Sequence, residues 1–390
     1  MTISRNIKLL AAFNFLTDFS LVGPIAIVFY AYISGSFALG MSIFSIAMLT
    51  QAILEVPTGV LSDFFGRSGV MRLGATANVI SVLSYALAIQ LGYWALVVGA
   101  LFEGLARALY SGNDDAFLHD TLKDTHSEEK YHEYLGKTSA MFQVAATLGA
   151  LLSGVIASLS FSLLLWLSVI PQVIKLLISL FFKEPKSYTK SDSNIFVHTK
   201  EAITLFIHNS KLRKLSLASM IDFAMGESGY QFRSAFIGTL WPLWAIGFSK
   251  VLSSLGATLS FWYSGKLIKR FKELPILIFD GVFSKLIDIA SLGFPTLFSP
   301  VLMSVTSLGF GVTTVAKNNL MQQEFSDKQR ATMSSLNSLG ESLMFAIVSL
   351  TLGYFADTIG PAKGLLILTI LGISANLIHW SLFKHESKVE

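Results

Sequence analysis

The residues that could do chemistry in this chain are ionisable groups embedded in long apolar runs. Asp18, Glu55, Glu103, Arg107 and Lys175 lie in such runs in the first half, and Asp222, Glu227, Arg233, Lys250, Asp280, Lys285, Asp288, Lys317 and Glu341 in the second. A charge at the centre of a membrane helix costs roughly 2.5–3.5 kcal/mol on insertion scales. A purely structural bundle would not keep so many, so they imply a polar cavity. Glu103 and Arg107 stand four apart and can pair on one helix face. Asp18 is a lone carboxylate in mid-run, suited to carrying a proton or touching a solute. If motion makes and breaks an Asp18–Arg107 contact, it would release and capture a proton. Glu341 is a further candidate for proton or substrate contact. Asp222, Glu227 and Lys317 are candidates for the substrate cavity, Lys317 suiting an anion or else snorkelling to the surface. Asp280, Lys285 and Asp288 are spaced to form internal ion pairs. Phe13, Phe15, Phe142 and Trp262 are candidate aromatic walls for an amphipathic solute.

Other chemistries find no support. The chain has no cysteine, which removes disulfides, thiolate catalysis and cysteine metal sites. Its seven histidines fall mostly in loops and form no metal-ligand spacing. No catalytic residue, metal site or cofactor is expected, and the chain does not read as an enzyme. The net charge is +4, but the basic residues flank apolar runs, which is a membrane-topology signature rather than a nucleic-acid footprint.

These side chains must be held by membrane helices. Only 14% of residues are charged, against about 25% in soluble domains, and mean hydropathy is +0.61. A span needs roughly 20 apolar residues. The chain offers runs at about 9–33, 38–61, 71–90, 93–118, 137–159, 161–182, 213–235, 241–264, 274–292, 296–320, 331–355 and 362–383. The expected fold class is therefore an all-α polytopic membrane protein with twelve transmembrane helices in two six-helix, pseudo-symmetric halves. The first run is too long for a signal peptide and reads as a retained span. Lysines and arginines gather after every second span, which places both termini in the cytoplasm. The polar stretch 183–212 divides the chain into an N-terminal half, 1–182, and a C-terminal half, 213–390. Within it, Asn194 to Ile207 has the apolar spacing of an interfacial helix.

One short connection stands out. Between the second and third runs the chain reads GVLSDFFGR, from Gly59 to Arg67. Gly59 allows close helix packing, and Asp63 and Arg67 are four apart. After the eighth run, GKLIKRFK from Gly265 occupies the matching place, with Gly265 opposite Gly59 but without the acid and the second glycine. Gly353, Asp357 and Gly360 repeat the glycine and acid spacing, but topology puts them on the opposite side.

GVLSDFFGR resembles the signature between the second and third helices of the major facilitator superfamily, and the span count and weakened repeat extend that resemblance along the chain. The resemblance implies a secondary active transporter that alternates access by rocking two halves about a midplane site. It also implies that Gly59, Asp63, Gly66 and Arg67 form a cytoplasmic latch, with Asp114, Asp115 and Asp120 as candidate partners for Arg67. Arg107 resembles the fourth-helix arginine of drug–proton antiporters, and related exporters often carry a proton-titrating acid where Asp18 stands. Asp18, Arg107, Glu103 and Glu341 are thus the expected proton-coupling residues. The expected function is proton-coupled export of a small amphipathic molecule, the alternative being a proton symporter importing a nutrient or metabolite. The expected partners are that solute, protons and the lipid bilayer of a bacterial cytoplasmic membrane, with the chain acting as a monomer.

Overall fold

The computed structural model describes residues 5–124, 126–185, 206–207, 209–324 and 330–386. The expected interfacial helix from Asn194 lies almost wholly outside them. All regular structure among the described residues is helical. In chain order the helices are α1 (Arg5–Asp18), α2 (Ala26–Ser34), α3 (Phe37–Leu91), α4 (Tyr93–Tyr110), α5 (Asn113–Asp124), α6 (Tyr131–Leu159) and α7 (Phe161–Leu180). The second half adds α8 (Ser210–Ile237), α9 (Leu243–Phe271), α10 (Glu273–Gly293), α11 (Ser299–Val305), α12 (Ser307–Glu324), α13 (Arg330–Ile359), α14 (Pro361–Leu371) and α15 (Ile373–Glu386).

Among the described residues, nine helical runs are long and apolar enough to cross a bilayer. The other three spans are α8, α9 and α10, of 28, 29 and 21 residues. They are long enough to cross, but Asp222, Glu227 and Arg233, Lys250, and Asp280, Lys285 and Asp288 dilute their hydropathy. The protein is thus a multi-pass integral membrane protein of twelve spans in two six-helix halves. Helices suit this setting because every backbone polar group in hydrocarbon must be satisfied internally.

Several spans are not the continuous rods that the apolar runs suggest. Span 1 breaks after Asp18 and resumes as a short 3-10 turn at Gly23–Ile25 before α2. Pro24 has no N–H to give and disfavours helix in the residue before it. Ser20 Oγ accepts from Gly23 N at 3.0 Å across the break. Span 4 breaks at Gly112, whose φ is 68°, so α4 ends at Tyr110 and α5 starts at Asn113. Conversely, the polar connections after spans 2 and 8 are shorter than the sequence suggests. Helix runs through GVLSDFFGR with Gly66 alone outside helical geometry, and α9 and α10 are separated by Lys272 alone.

The chain divides into two compact units. The first comprises Met1–Gly35, Ser42–Asp192 and Leu243–Gly247, the second Ser36–Met41, Ser193–Pro242 and Phe248–Glu390. In the first, α1 packs on α6 and α7, and in the second, α8 packs on α13 and α15. The first helix of each half therefore meets the fifth and sixth of its own half. Phe13, Met71, Ala75 and Phe117 lie in the first unit's apolar core, and Leu215, Leu277, Leu320 and Met333 in the second's.

Candidate functional site

The first unit holds a cavity of about 270 Å³. Phe13, Asn14, Thr17 and Asp18 of α1 form one wall, Tyr110, Asp114 and Asp115 of span 4 a second, and Leu135, Thr138 and Phe142 of α6 a third. The helix breaks build it. Asp18 is the last residue of α1 and Tyr110 the last of α4, so both helices stop at the wall. Gly149 of α6 lets the wall close. A Cβ there would sit 2.6 Å from the Ser20 carbonyl oxygen, so only glycine admits this approach to the break in span 1.

Lys175 of α7 lies behind this wall, fully buried. Its ammonium is 5.6 Å from the Phe13 ring centroid and 5.2 Å from that of Tyr110, within cation–π range. Its Nζ and the Tyr110 hydroxyl are buried without a hydrogen-bond partner. The charges that act on Asp18 are those of Lys175 and Asp114. The expected Asp18–Arg107 contact is absent here. Arg107 instead pairs with Glu103 at 2.5 Å, as their four-residue spacing predicts, and Glu103 also accepts from the Tyr85 hydroxyl at 2.6 Å. That pair lies on α4 away from the cavity lining. Lys175 is visible in the sequence as the one basic residue of the sixth apolar run, but only packing shows that it, rather than Arg107, is the cation whose charge acts on Asp18.

The expected substrate residues scatter. Phe13 and Phe142 line the cavity, whereas Phe15 stacks on Phe19 at 6.0 Å between centroids and Trp262 is largely exposed. Asp222, Glu227 and Lys317 belong to the second unit. There Asp222 lies 3.8 Å from His379 Nε2, and Lys317 acts on both. Glu227 accepts instead from Gln231 at 2.7 Å. Glu341 accepts from Ser219 Oγ at 2.5 Å and Asn337 Nδ2 at 2.9 Å. Unlike the histidines expected in loops, His379 is buried in α15. The ion pairs expected of Lys285 do not form. Asp288 is held by Arg233 at 3.4 Å and Asp280 accepts from Ser284 Oγ at 3.3 Å, because Arg233 arrives from a neighbouring helix.

The GVLSDFFGR connection is held by a residue that sequence reasoning passed over. Glu184, just beyond α7, accepts from Arg67 N at 2.6 Å, Ser68 N at 2.8 Å and Ser68 Oγ at 2.6 Å. These are the first amides of span 3, where a helix N-terminus favours a carboxylate. Its sequence signal was an acid at the foot of the sixth apolar run. Arg67 Nε reaches Asp120 at 3.5 Å, one of the expected partners, whereas Asp114 and Asp115 turn to the cavity. The Asn113 side chain donates to the Arg67 carbonyl at 3.1 Å. Arg72 caps the end of α7 through the Ser179 and Phe182 carbonyls at 3.2 and 2.9 Å. Gly59 and Asp63 lie in helix, but their side-chain surroundings fall outside the described residues. Within the second unit, Asp357 caps the start of α3, accepting from Phe37 N at 2.6 Å, Ala38 N at 3.0 Å and Ser36 Oγ at 2.6 Å. The acid of the spacing look-alike is thus a helix cap.

Twelve membrane spans in two halves with the same internal pairing, and a polar cavity bounded by broken helices, define a membrane transporter of small molecules rather than an enzyme. Residues 9–349 match the sequence profile of the Major Facilitator Superfamily, and the chain belongs to that family. It is 20% identical over 390 residues to an uncharacterized MFS-type transporter of Methanocaldococcus jannaschii, covering 95% of this chain and 96% of that one. It is 21% identical over 321 residues to an uncharacterized transporter of Buchnera aphidicola, covering 79% and 78%. Among solved structures, the nucleoside transporter NupG superposes with a TM-score of 0.78 at 15% identity, covering 98% of this chain and 100% of that one. A D-xylose-proton symporter superposes with a TM-score of 0.73 at 13% identity, covering 96% of each.

Proposed function

We propose that the protein is a proton-coupled exporter of a small amphipathic molecule, working by alternating access. The observation that carries this reading is the cavity of the first unit, where Asp18 sits at a break in a membrane helix beside aromatic walls. Asp18 carries the proton in this scheme, and its neighbour Lys175 supplies the charge that changes partners with it. Glu103, Arg107 and Glu341 serve as further members of the coupling network, and Asp222, Glu227, Lys317, Phe15 and Phe142 as solute contacts during the cycle. Gly59, Asp63, Gly66, Arg67 and Asp120 belong to a cytoplasmic latch, which Asp114, a cavity residue in this state, joins at another point of the cycle. The two halves, 1–182 and 213–390, move about the linker 183–212. The protein acts as a monomer in a bacterial cytoplasmic membrane with both termini in the cytoplasm, in keeping with the loop charges.

Reconstitution in liposomes with an imposed pH gradient tests the reading. Uphill solute movement opposite to protons is expected, and the Asp18→Asn variant is expected to lose coupling while keeping downhill exchange. Undiminished coupling in that variant would remove Asp18 from the scheme. Solute movement together with protons would replace export by symport, the direction that the name of the D-xylose-proton symporter suggests.

A further inference from the structure

We infer that the cavity of the first unit binds a small organic cation, an amine or quaternary ammonium attached to an apolar or aromatic group. The inference rests on the transporter reading above and names the solute class for that same cavity.

Charge comes first. Three of the lining side chains are carboxylates, Asp18, Asp114 and Asp115, and none is basic. Asp114 accepts from the neighbouring Asp115 amide at 2.9 Å and has no basic side chain beside it in the lining. The backbone adds to this. Both α1 and α4 end at the wall, at Asp18 and Tyr110, and a helix C-terminus carries partial negative charge. The opposing positive end, where α5 starts at Asn113, is offset by Asp114 and Asp115 in its first turn.

Shape and surface chemistry agree. Phe13, Tyr110 and Phe142 give the cavity aromatic faces, which attract cations as well as apolar groups. The Tyr110 hydroxyl itself is buried behind its ring without a hydrogen-bond partner. Lys175 stands against the same rings from behind the wall. Its unpartnered ammonium acts on Asp18. A ligand ammonium on the cavity side of the same rings would compete with Lys175 for Asp18. Anions would meet three carboxylates before that single lysine, which is not part of the lining.

The test is calorimetric titration of the purified full-length protein with three probes of similar size, benzyltrimethylammonium, benzyl alcohol and phenylacetate. The permanent cation is expected to bind at least roughly tenfold more tightly than either comparator, the scale of one close charge pair. Asp18→Asn is expected to weaken it about tenfold, and Lys175→Met, which removes the resident cation, to tighten it severalfold. Asp115→Asn at the exposed mouth keeps the question answerable if the buried variants do not fold, with a loss of about threefold expected. Preferential binding of phenylacetate that disappears in Lys175→Met would overturn the inference, as would equal affinity for all three probes. Proton-driven flux of another solute class without cation binding would also overturn it and leave the transporter reading intact. Cation binding without any proton-driven flux would uphold the site and overturn coupled transport.

Discussion

The two halves solve the same backbone problem with different residues. Gly66, between spans 2 and 3, has φ 70° and ψ 171°. Lys272, between spans 8 and 9, has φ 59° and ψ 171°. Aligning Gly265 with Gly59 puts Lys272 opposite Gly66, so the repeat survives in backbone geometry where its letters have diverged. The conformation is nearly glycine-only and costs a side-chain-bearing residue about 1–3 kcal/mol. The first hinge avoids that cost and fills the space above its glycine with Glu184, whose carboxyl carbon would be 2.6 Å from any added Cβ. Lys272 bears its strain. At the second hinge the neighbouring Glu273 accepts from Asn319 at 2.5 Å and so ties span 9 to span 10. The first hinge is therefore an unstrained joint held by a carboxylate clamp, while the second is a strained joint. A half-repeat can thus lose its signature residues and keep its bend, provided that the rest of the unit fixes the chain on either side.

The largest effect should come from Gly66→Ala, which combines a disfavoured backbone region with displacement of Glu184. A loss of about 3 kcal/mol is expected in chemical unfolding in mixed micelles. A loss below about 0.5 kcal/mol would show that the first hinge relaxes freely and that the contrast with Lys272 is superficial. Next, Glu184→Ala leaves the first amides of span 3 without their acceptor, and about 2 kcal/mol should be lost. If Glu184→Gln recovers most of this, hydrogen bonding rather than charge holds the clamp. Lys272→Gly should act in the opposite direction, raising stability by about 1 kcal/mol once the entropy of the added glycine is included. Destabilisation there would mean that the lysine side chain earns its place by contacts. The smallest effect on stability is expected for Arg67→Gln, about 0.5 kcal/mol, because its pair with Asp120 is long and partly solvated. Solute flux in proteoliposomes is the sharper readout for that variant. A fall in flux far larger than the stability change is expected for a latch residue, and unchanged flux would reduce Arg67 to a static contact.

Contacts within one helical turn follow from residue spacing alone. The Glu103–Arg107 pair follows from a four-residue spacing. Partners that arrive from distant parts of the chain leave no such mark in the sequence. Arg107 was matched to Asp18, but Lys175 of the sixth span occupies that side. Asp288 was matched to Lys285 on its own helix, but Arg233 from span 7 takes it. Glu184 and His379 were passed over because nothing beside them in sequence marks what they touch. Even the breaks at Asp18 and Gly112 were only half visible. Pro24 and Gly112 announce irregularity, but not that two helices would stop at one cavity.

The sequence by itself determined the membrane setting, the twelve spans and the two halves, because hydrocarbon accepts only helices long enough to cross it with their backbone bonds made internally. It also determined that charges inside those spans must serve a polar interior, since lipid would not tolerate them. Only the tertiary structure decided which charges meet. Side chains more than a turn apart come together through helix packing, and in the first unit that packing set Asp18 at the end of a broken helix, under the charge of Lys175 and in one cavity wall with Asp114, in a cavity no single span encodes.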